Sequence, residues 1–437
     1  MKSSQPLGES LIQPVSLVDD LEAMRAGLPP AALVRRLSAR FARVEPEIAA
    51  FLDEEDRFDR LRQDAEALLE RYPQGAQRPP LFGALLGIKD IFHADGFTTR
   101  AGAALPPRLF AGAEASIVTR LKGAGALVVG KTVTTEFAYF EPGPTRNPHH
   151  RAHTPGGSSS GSAAAVAAGL AHLALGTQTV GSVIRPAAYC GIVGYKPSFG
   201  RVSTDGLLTF SRSADHVGFF CQNIADMRAV AGTVVAGWAG GKAPERLPVL
   251  GLPDGAYLRG ATALQEFEAQ CHRLKNAGYA IRRLSLFDDI DAIAACHQDL
   301  IAAELAGEHA SWFAAYSDRY RPRTAALIRY GQTISRDRLE QVRRHRISFR
   351  ERLHDAMTEN GLDLWICPAA PDVAPAGIGA TGDPVMNLPW THAGLPAVTV
   401  PAGKGSLGLP LGLQLVARYG ADRALLRWAG GIEAVFR

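Results

Sequence analysis

Residues 154–201 read TPGGSSSGSAAAVAAGLAHLALGTQTVGSVIRPAAYCGIVGYKPSFGR, rich in glycine, serine and alanine and nearly free of charge. In many chains such a composition marks a flexible linker. Here it encloses the apolar runs AAAVAAGLAHLAL and AAYCGIVGY, and linkers do not carry core-forming runs. So many small side chains among apolar ones imply backbone segments packed closely in an interior. The chain has the means to enclose them. Of its 437 residues 46% are apolar and 21% charged, ordinary globular usage that excludes a disordered or fibrous protein.

The flanking sequence supplies the enclosure. After a polar, proline-punctuated start, PPAALVRRLSARFARVEPEIAAFL sets proline at a helix start with apolar residues at helical spacing. FDRLRQDAEALLERY repeats the pattern before the loop PQGAQRPP, so residues 1–75 are read as an N-terminal helical arm. Residues 76–437 form the core. FGALLGIKDIF and ALVVG read as strands around a helix near SIVTRLKGAG, and LPVLGLP and YAIRRLSL as strands around the helix LQEFEAQCHRLKNAG. Residues 300–357 are helical with arginine-rich solvated faces, and LDLWICPAAP, GLPAVTVPAG and LPLGLQLVA return to strands. This alternation predicts an α/β core, and without an internal repeat the chain is one domain, arm included.

Several function classes fall away on composition and spacing. A net charge of +4 is too small for bulk attraction to nucleic acid or an anionic membrane. No stretch is apolar over the ~20 residues needed to span a bilayer, and the first residues hold no leader-like run. The cysteines Cys190, Cys221, Cys271, Cys296 and Cys367 are odd in number and lack zinc-type spacing, which fits a reducing, cytoplasmic setting. Gly125 to Thr132, GALVVGKT, satisfies the literal pattern of a phosphate-binding loop. Its middle residues are strand formers and a helix-like segment precedes it, which is the wrong context, so the match is coincidental. His149, His150 and His153 sit in a Pro- and Asn-punctuated loop without an acidic or thiol ligand, and no metal or cofactor is expected.

Lys89 lies in the strand-like run LLGIKDIF. On the solvent side of a half-buried strand it would be an ordinary lysine. Buried, it would lose its charge and become a base near neutral pH. Such a base needs a hydroxyl, and Ser158 in GGSSS and Ser182 in TQTVGSVIRP offer two. Serines in glycine-rich turns commonly serve the turn alone. The turn ending at Ser182, however, follows an apolar strand, where successive amides can converge on one point as an oxyanion hole.

Together GGSSSGSAAA at 156–165, GTQTVGS at 176–182, CGIVGYKPS at 190–198 and GIKD at 87–90 resemble the amidase signature family. The resemblance continues in PPLFGALLGIKDIFHADGFTT, GKTVTTEFAYF, TRNPHHRAHTPGG, LPAVTVPAG and LPLGLQLVA, and covers about residues 30 to 425. It implies an α/β/α sandwich with a large central mixed sheet flanked by helices, and hydrolysis or transfer at carboxamides. By position it makes Lys89 the base, Ser158 the proton relay and Ser182 the nucleophile that forms an acyl-enzyme. The amides of Thr179, Val180, Gly181 and Ser182 would form the oxyanion hole, and a cis peptide would precede Ser158. Tyr139, His153, Arg185, His216 and Trp390 are candidate substrate contacts.

The family commonly reads T-D-x-G-G-S-I-R, against Thr177-Gln178-Thr179-Val180-Gly181-Ser182-Val183-Ile184-Arg185 here. Val180 would either narrow the space beside the oxyanion hole or point into the core. Arg185, one position later than usual, would hold a substrate carboxylate or nearby carbonyls. The leading expectation is a stand-alone amidase that releases ammonia or an amine from a small polar amide. The alternatives are the catalytic A-type subunit of a tRNA-dependent amidotransferase, which works with partner subunits, and a biuret- or allophanate-type urea-amide hydrolase. A catalytically dead scaffold would not retain Lys89, Ser158 and Ser182. A homodimer is expected only because such dimers are the commonest assembly.

Overall fold

The computed structural model describes residues 11–238 and 246–437; residues 1–10 of the expected arm lie outside them. The apolar runs become strands β1 (Leu85–Lys89), β2 (Leu127–Thr132), β3 (Leu173–Gln178), β4 (Val193–Lys196), β5 (His216–Cys221), β6 (Leu250–Asp254), β7 (Ile281–Ser285), β8 (Leu364–Pro368), β9 (Ala397–Lys404) and β10 (Pro410–Val416). All ten join one sheet in the order β2-β1-β3-β5-β4-β9-β10-β8-β6-β7. β1 runs parallel to both β2 and β3, and β6 parallel to both β7 and β8. The pairings from β3 through β5, β4, β9 and β10 to β8 are antiparallel, which makes the sheet mixed.

Parallel neighbours need crossovers, and helices Ser116–Gly123 and Leu264–Asn276 supply them between β1 and β2 and between β6 and β7. Most interior strands are buried along their length, whereas the edge strand β7 exposes Arg282 and Arg283, charges that discourage edge-to-edge pairing. The phosphate-loop look-alike is β2. Its Lys131 is buried, pairs with Asp90 at 2.9 Å and donates to the Phe92 carbonyl at 2.8 Å.

The small residues of 154–201 meet a steric demand. Helix Ser160–Ala167 is buried at every position, and a Cβ on Gly161 would overlap the Ala50 carbonyl and the Val133 amide. Ser162 shares a 2.7 Å hydrogen bond with the Thr132 hydroxyl and donates to the Leu175 carbonyl at 2.8 Å, tying this helix to β2 and β3. The site is thereby framed at the carboxyl ends of β1 and β3, where open α/β sheets generally bind their ligands.

Helices Pro30–Ile48 and Arg57–Arg71 occupy the expected positions. Helix Leu17–Arg25 is an addition to the sequence reading. Ser16 caps it by accepting from the Asp19 amide, and Leu17, Leu21 and Met24 form its buried stripe. The flanking prolines disguised that short period. β4 and β5 were not read as strands from the sequence, and the closing helix Asp422–Phe436 was also not anticipated.

Glu45, in the last turn of Pro30–Ile48, accepts from the Phe51 amide at 2.7 Å, while its buried Oε2 has no partner. Burial raises its carboxyl to about 7 from 4.5. The folded state therefore binds this proton more tightly than the unfolded chain, and stability falls as pH rises through that interval. Glu45→Gln removes the effect, and above the raised pKa it should be more stable than the wild type by on the order of 2 kcal/mol. Urea unfolding midpoints at pH 5 and pH 8 check this; an equal gap at both would refute it.

Candidate active site

Lys89 ends β1 with no solvent exposure. Its Nζ lies 2.7 Å from Ser158 Oγ and 2.7 Å from Thr177 Oγ1. Burial pushes the amine well below the ordinary lysine range of 10.5, opposed only in part by the negative field of Asp215. Asp215 is itself buried, and its carboxyl rises to about 6 despite donors from the Thr179 hydroxyl and the Ser211 and Phe210 amides. A neutral amine has a lone pair to accept the Ser158 proton. Ser158 stands just before Ser159, the N-cap of helix Ser160–Ala167, and the Gly157–Ser158 peptide is cis.

Ser182 follows β3 in the turn Thr179-Val180-Gly181-Ser182. Gln178 organises this turn from the strand end. Its Oε1 accepts from the Val183 and Ile184 amides at 2.8 and 2.9 Å, and its Nε2 donates to Thr391 Oγ1 at 2.9 Å. Thr391 Oγ1 in turn donates to the Val180 carbonyl at 2.7 Å. The glutamine thus does what an acid at this position could not, because a carboxylate has no N–H for Thr391. Among the described residues, the amides of Val180, Gly181 and Ser182 donate to no protein acceptor. A run of free amides beside a hydroxyl can stabilise a developing oxyanion.

Ser158, Thr179, Val180, Gly181, Ser182 and Arg185 line a common cavity closed over by Ala138, Tyr139, Phe140 and Phe210. At about 10 Å³ it has room for roughly one water. Tyr139 and Phe140 also border an outer cavity of about 380 Å³ with Arg323, Ala380, Thr381, Gly382 and Asp383. In this arrangement of the rings the inner cavity holds a water but not a larger amide. Val180 lines the inner cavity and also packs against the core.

Arg185 is 1% exposed. Its Nη2 donates to the Gly157 carbonyl at 2.7 Å and to Thr381 Oγ1 at 3.2 Å, while Nε and Nη1 have no partner. Burial lowers its pKa to about 10. Among the described residues no carboxylate pairs with it, so a buried cation sits beside Ser182 with donors to spare.

The other three candidate contacts belong to the surrounding framework. His153 Nδ1 faces the Ala374 carbonyl at 2.7 Å, His216 Nδ1 faces the Ala214 carbonyl at 2.7 Å, and Trp390 Nε1 donates to the Tyr257 hydroxyl at 3.0 Å. None of them lines either cavity. His149, from the same loop as His153, bonds the Cys190 carbonyl at 3.0 Å, and no cluster of His, Cys, Asp or Glu suited to a metal is found among the described residues. Sequence reasoning noted Gln178 only as standing in place of an acid, and passed over Thr177 and Thr391. Thr177 lies in the quoted motif and would have been found from the pairing of β1 with β3; Thr391, 213 residues from Gln178, left no local signal.

A buried lysine bonded to one serine, with a second serine under free amides, is an arrangement with the groups that acyl transfer requires. The Amidase family model matches residues 32–249 and 259–426. The chain belongs to the amidase family. It is 31% identical over 456 residues to the A-type subunit of the glutamyl-tRNA(Gln) amidotransferase from Synechococcus sp. (strain CC9311), covering 90% of this chain and 91% of that one. A crystal structure of an amidase superposes with a TM-score of 0.86 at 30% identity, over 97% of this chain and all of that one. A protein from a vestigial complex bearing on the origins of an s-triazine catabolic enzyme gives 0.83 at 27% identity, over 96% and 98%. No helix among the described residues is long and apolar enough to cross a membrane.

Proposed function

We propose that this amidase hydrolyses a small polar carboxamide through an acyl-enzyme on Ser182. The observation that carries the reading is the fully buried Lys89 amine, depressed in pKa and 2.7 Å from Ser158 Oγ. Neutral Lys89 takes the Ser158 proton while Ser158 takes that of Ser182. Ser182 Oγ then attacks the amide carbon, and the carbonyl oxygen gathers charge against the amides of Thr179 to Ser182. As the tetrahedral adduct collapses, the C–N bond breaks and the proton returns through Ser158 to the departing nitrogen. Water enters along the same path, leaving carboxylate and free enzyme.

Arg185 suggests the kind of acyl group. Its unpartnered Nε and Nη1 match the two oxygens of a carboxylate, which would neutralise a charge otherwise buried alone. A second reading, the catalytic subunit of a tRNA-dependent amidotransferase, is favoured by the names of relatives at 31–32% identity that align over most of both chains. In that case partner subunits are required. A biuret- or allophanate-type substrate is the remaining variant of the first reading. Five free cysteines fit a cytoplasmic enzyme.

Ammonia release by the isolated chain from malonamate-like, biuret-like, aryl and aliphatic amides separates these readings. Release without partners supports the amidase; silence broken only by added amidotransferase partner subunits supports the second reading. With an active carboxylate-bearing amide, Arg185→Met should raise KM by roughly 30- to 100-fold, the size of a lost charge-assisted pair. A neutral amide of equal size should be affected far less, because the loss of the Gly157 contact is common to both. Equal losses would remove Arg185 from substrate recognition.

A further inference from the structure

We propose that His297 is a positioning residue of the amidase site, which holds the Thr179 carbonyl from behind the turn and so aims the Val180 N–H at the substrate's carbonyl oxygen. This rests on the reading of Ser182 as nucleophile and of the turn amides as its oxyanion hole. His297 lies in helix Ile290–Glu308, is 1% exposed and lines neither cavity at the site. Its Nε2 is 2.9 Å from the Thr179 carbonyl oxygen. A carbonyl can only accept, so Nε2 carries the proton. The Thr179 carbonyl and the Val180 amide belong to one planar trans peptide, in which C=O and N–H point in opposite directions. Drawing the oxygen toward His297 therefore turns the amide toward the cavity that Val180 lines. Thr391 applies the same constraint to the next peptide by donating to the Val180 carbonyl at 2.7 Å.

The tautomer of His297 is fixed in turn by its neighbours. With its proton on Nε2, a neutral His297 presents a lone pair at Nδ1, 3.1 Å from Nδ1 of His392, which must then be the donor. His392 Nε2 is left as an acceptor, 2.9 Å from His345 Nδ1, so His345 donates. Every member of the string has one compatible role, running inward from helix Arg336–Glu359 to the turn. Burial, reinforced by the Arg346 cation and only partly offset by the bond to the Thr179 carbonyl and by Glu304, holds His297 down to about 4, so it stays neutral in a single orientation at working pH. Arg346 Nε also donates to the His392 carbonyl at 2.8 Å, anchoring the middle of the string.

The test compares His297→Gln, whose side-chain amide can still donate to Thr179, with His297→Leu, which cannot, using any amide that the wild type hydrolyses. The leucine variant should lose roughly 10- to 100-fold in kcat with KM within about threefold, the pattern of an interaction made chiefly in the transition state. The glutamine variant should stay within about threefold of the wild type in both. Should leucine not fold, His297→Asn, too short to reach the carbonyl, takes its place with the same expected loss. Wild-type kcat in the leucine or asparagine variant, or equal losses in the glutamine and leucine variants, would overturn the proposal. Ser182→Ala as a control identifies which idea has failed: activity surviving that substitution overturns the site reading itself.

Discussion

Ser182→Ala should lower amide hydrolysis by roughly 10⁴-fold or more, with the thermal midpoint nearly unchanged. The rate loss follows from removing the atom that would bond to the acyl carbon, for which no other hydroxyl substitutes. Ser158 borders the same cavity, but it is bonded to Lys89 and stands on the far side of the relay. The modest effect on stability follows from the contacts. Among the described residues the Ser182 hydroxyl makes no hydrogen bond to protein, so alanine leaves no buried partner unsatisfied. Steady-state ammonia release and a melting curve on the same preparation check both halves. Retained hydrolysis would remove Ser182 as the nucleophile, and a collapse in melting temperature would mean that the serine serves the fold.

Lys89→Met should be nearly as inactive, yet its stability relative to the wild type should change with pH in a defined direction. Methionine fills the buried channel but accepts no proton, so Ser158 loses its base, and a loss of roughly 10³-fold or more in kcat is expected. The folded protein holds Lys89 at a pKa well below 10.5, whereas the unfolded chain restores the ordinary value. Between those two values the unfolded state carries the extra proton, so each unit of acidification disfavours the wild-type fold by about 1.4 kcal/mol. Methionine carries no such penalty. The stability difference should therefore move in favour of the variant as pH falls from 10.5 toward the lowered pKa, after a constant offset for the lost contacts to Ser158 and Thr177. Wild-type activity should rise with pH through the lowered pKa as the amine loses its proton. Denaturant titrations at several pH values test the first, and a pH–rate profile the second; a pH-independent stability difference would mean that Lys89 is charged in the folded protein.

The arm helices, most strands and the two serine motifs are legible in the sequence because each is a local pattern. Helical spacing in PAALVRRLSARF, alternation of strands with helices, and small residues packed through GGSSSGSAAA all constrain their own neighbourhood. Lys89 is legible for a different reason: a lysine inside an apolar strand and serines in tight turns each have an ordinary explanation alone, and only their combination singles them out. The short helix Leu17–Arg25 is lost between flanking prolines, and the strands β4 and β5 were not read as strands.

Sequence alone determined the chemistry on offer, because residue identity decides what can donate, accept or attack; that Lys89 is buried came only from the fold. Whether a side chain faces the reacting atoms is set by the order of strands in the sheet, which brings together residues far apart in the chain. Arg185 meets Thr381 across 196 positions and His297 meets Thr179 across 118, while His153, His216 and Trp390, equally plausible in the sequence, turn toward the framework. Local spacing carries no term for such encounters; the packing of the helices against the mixed sheet fixes them.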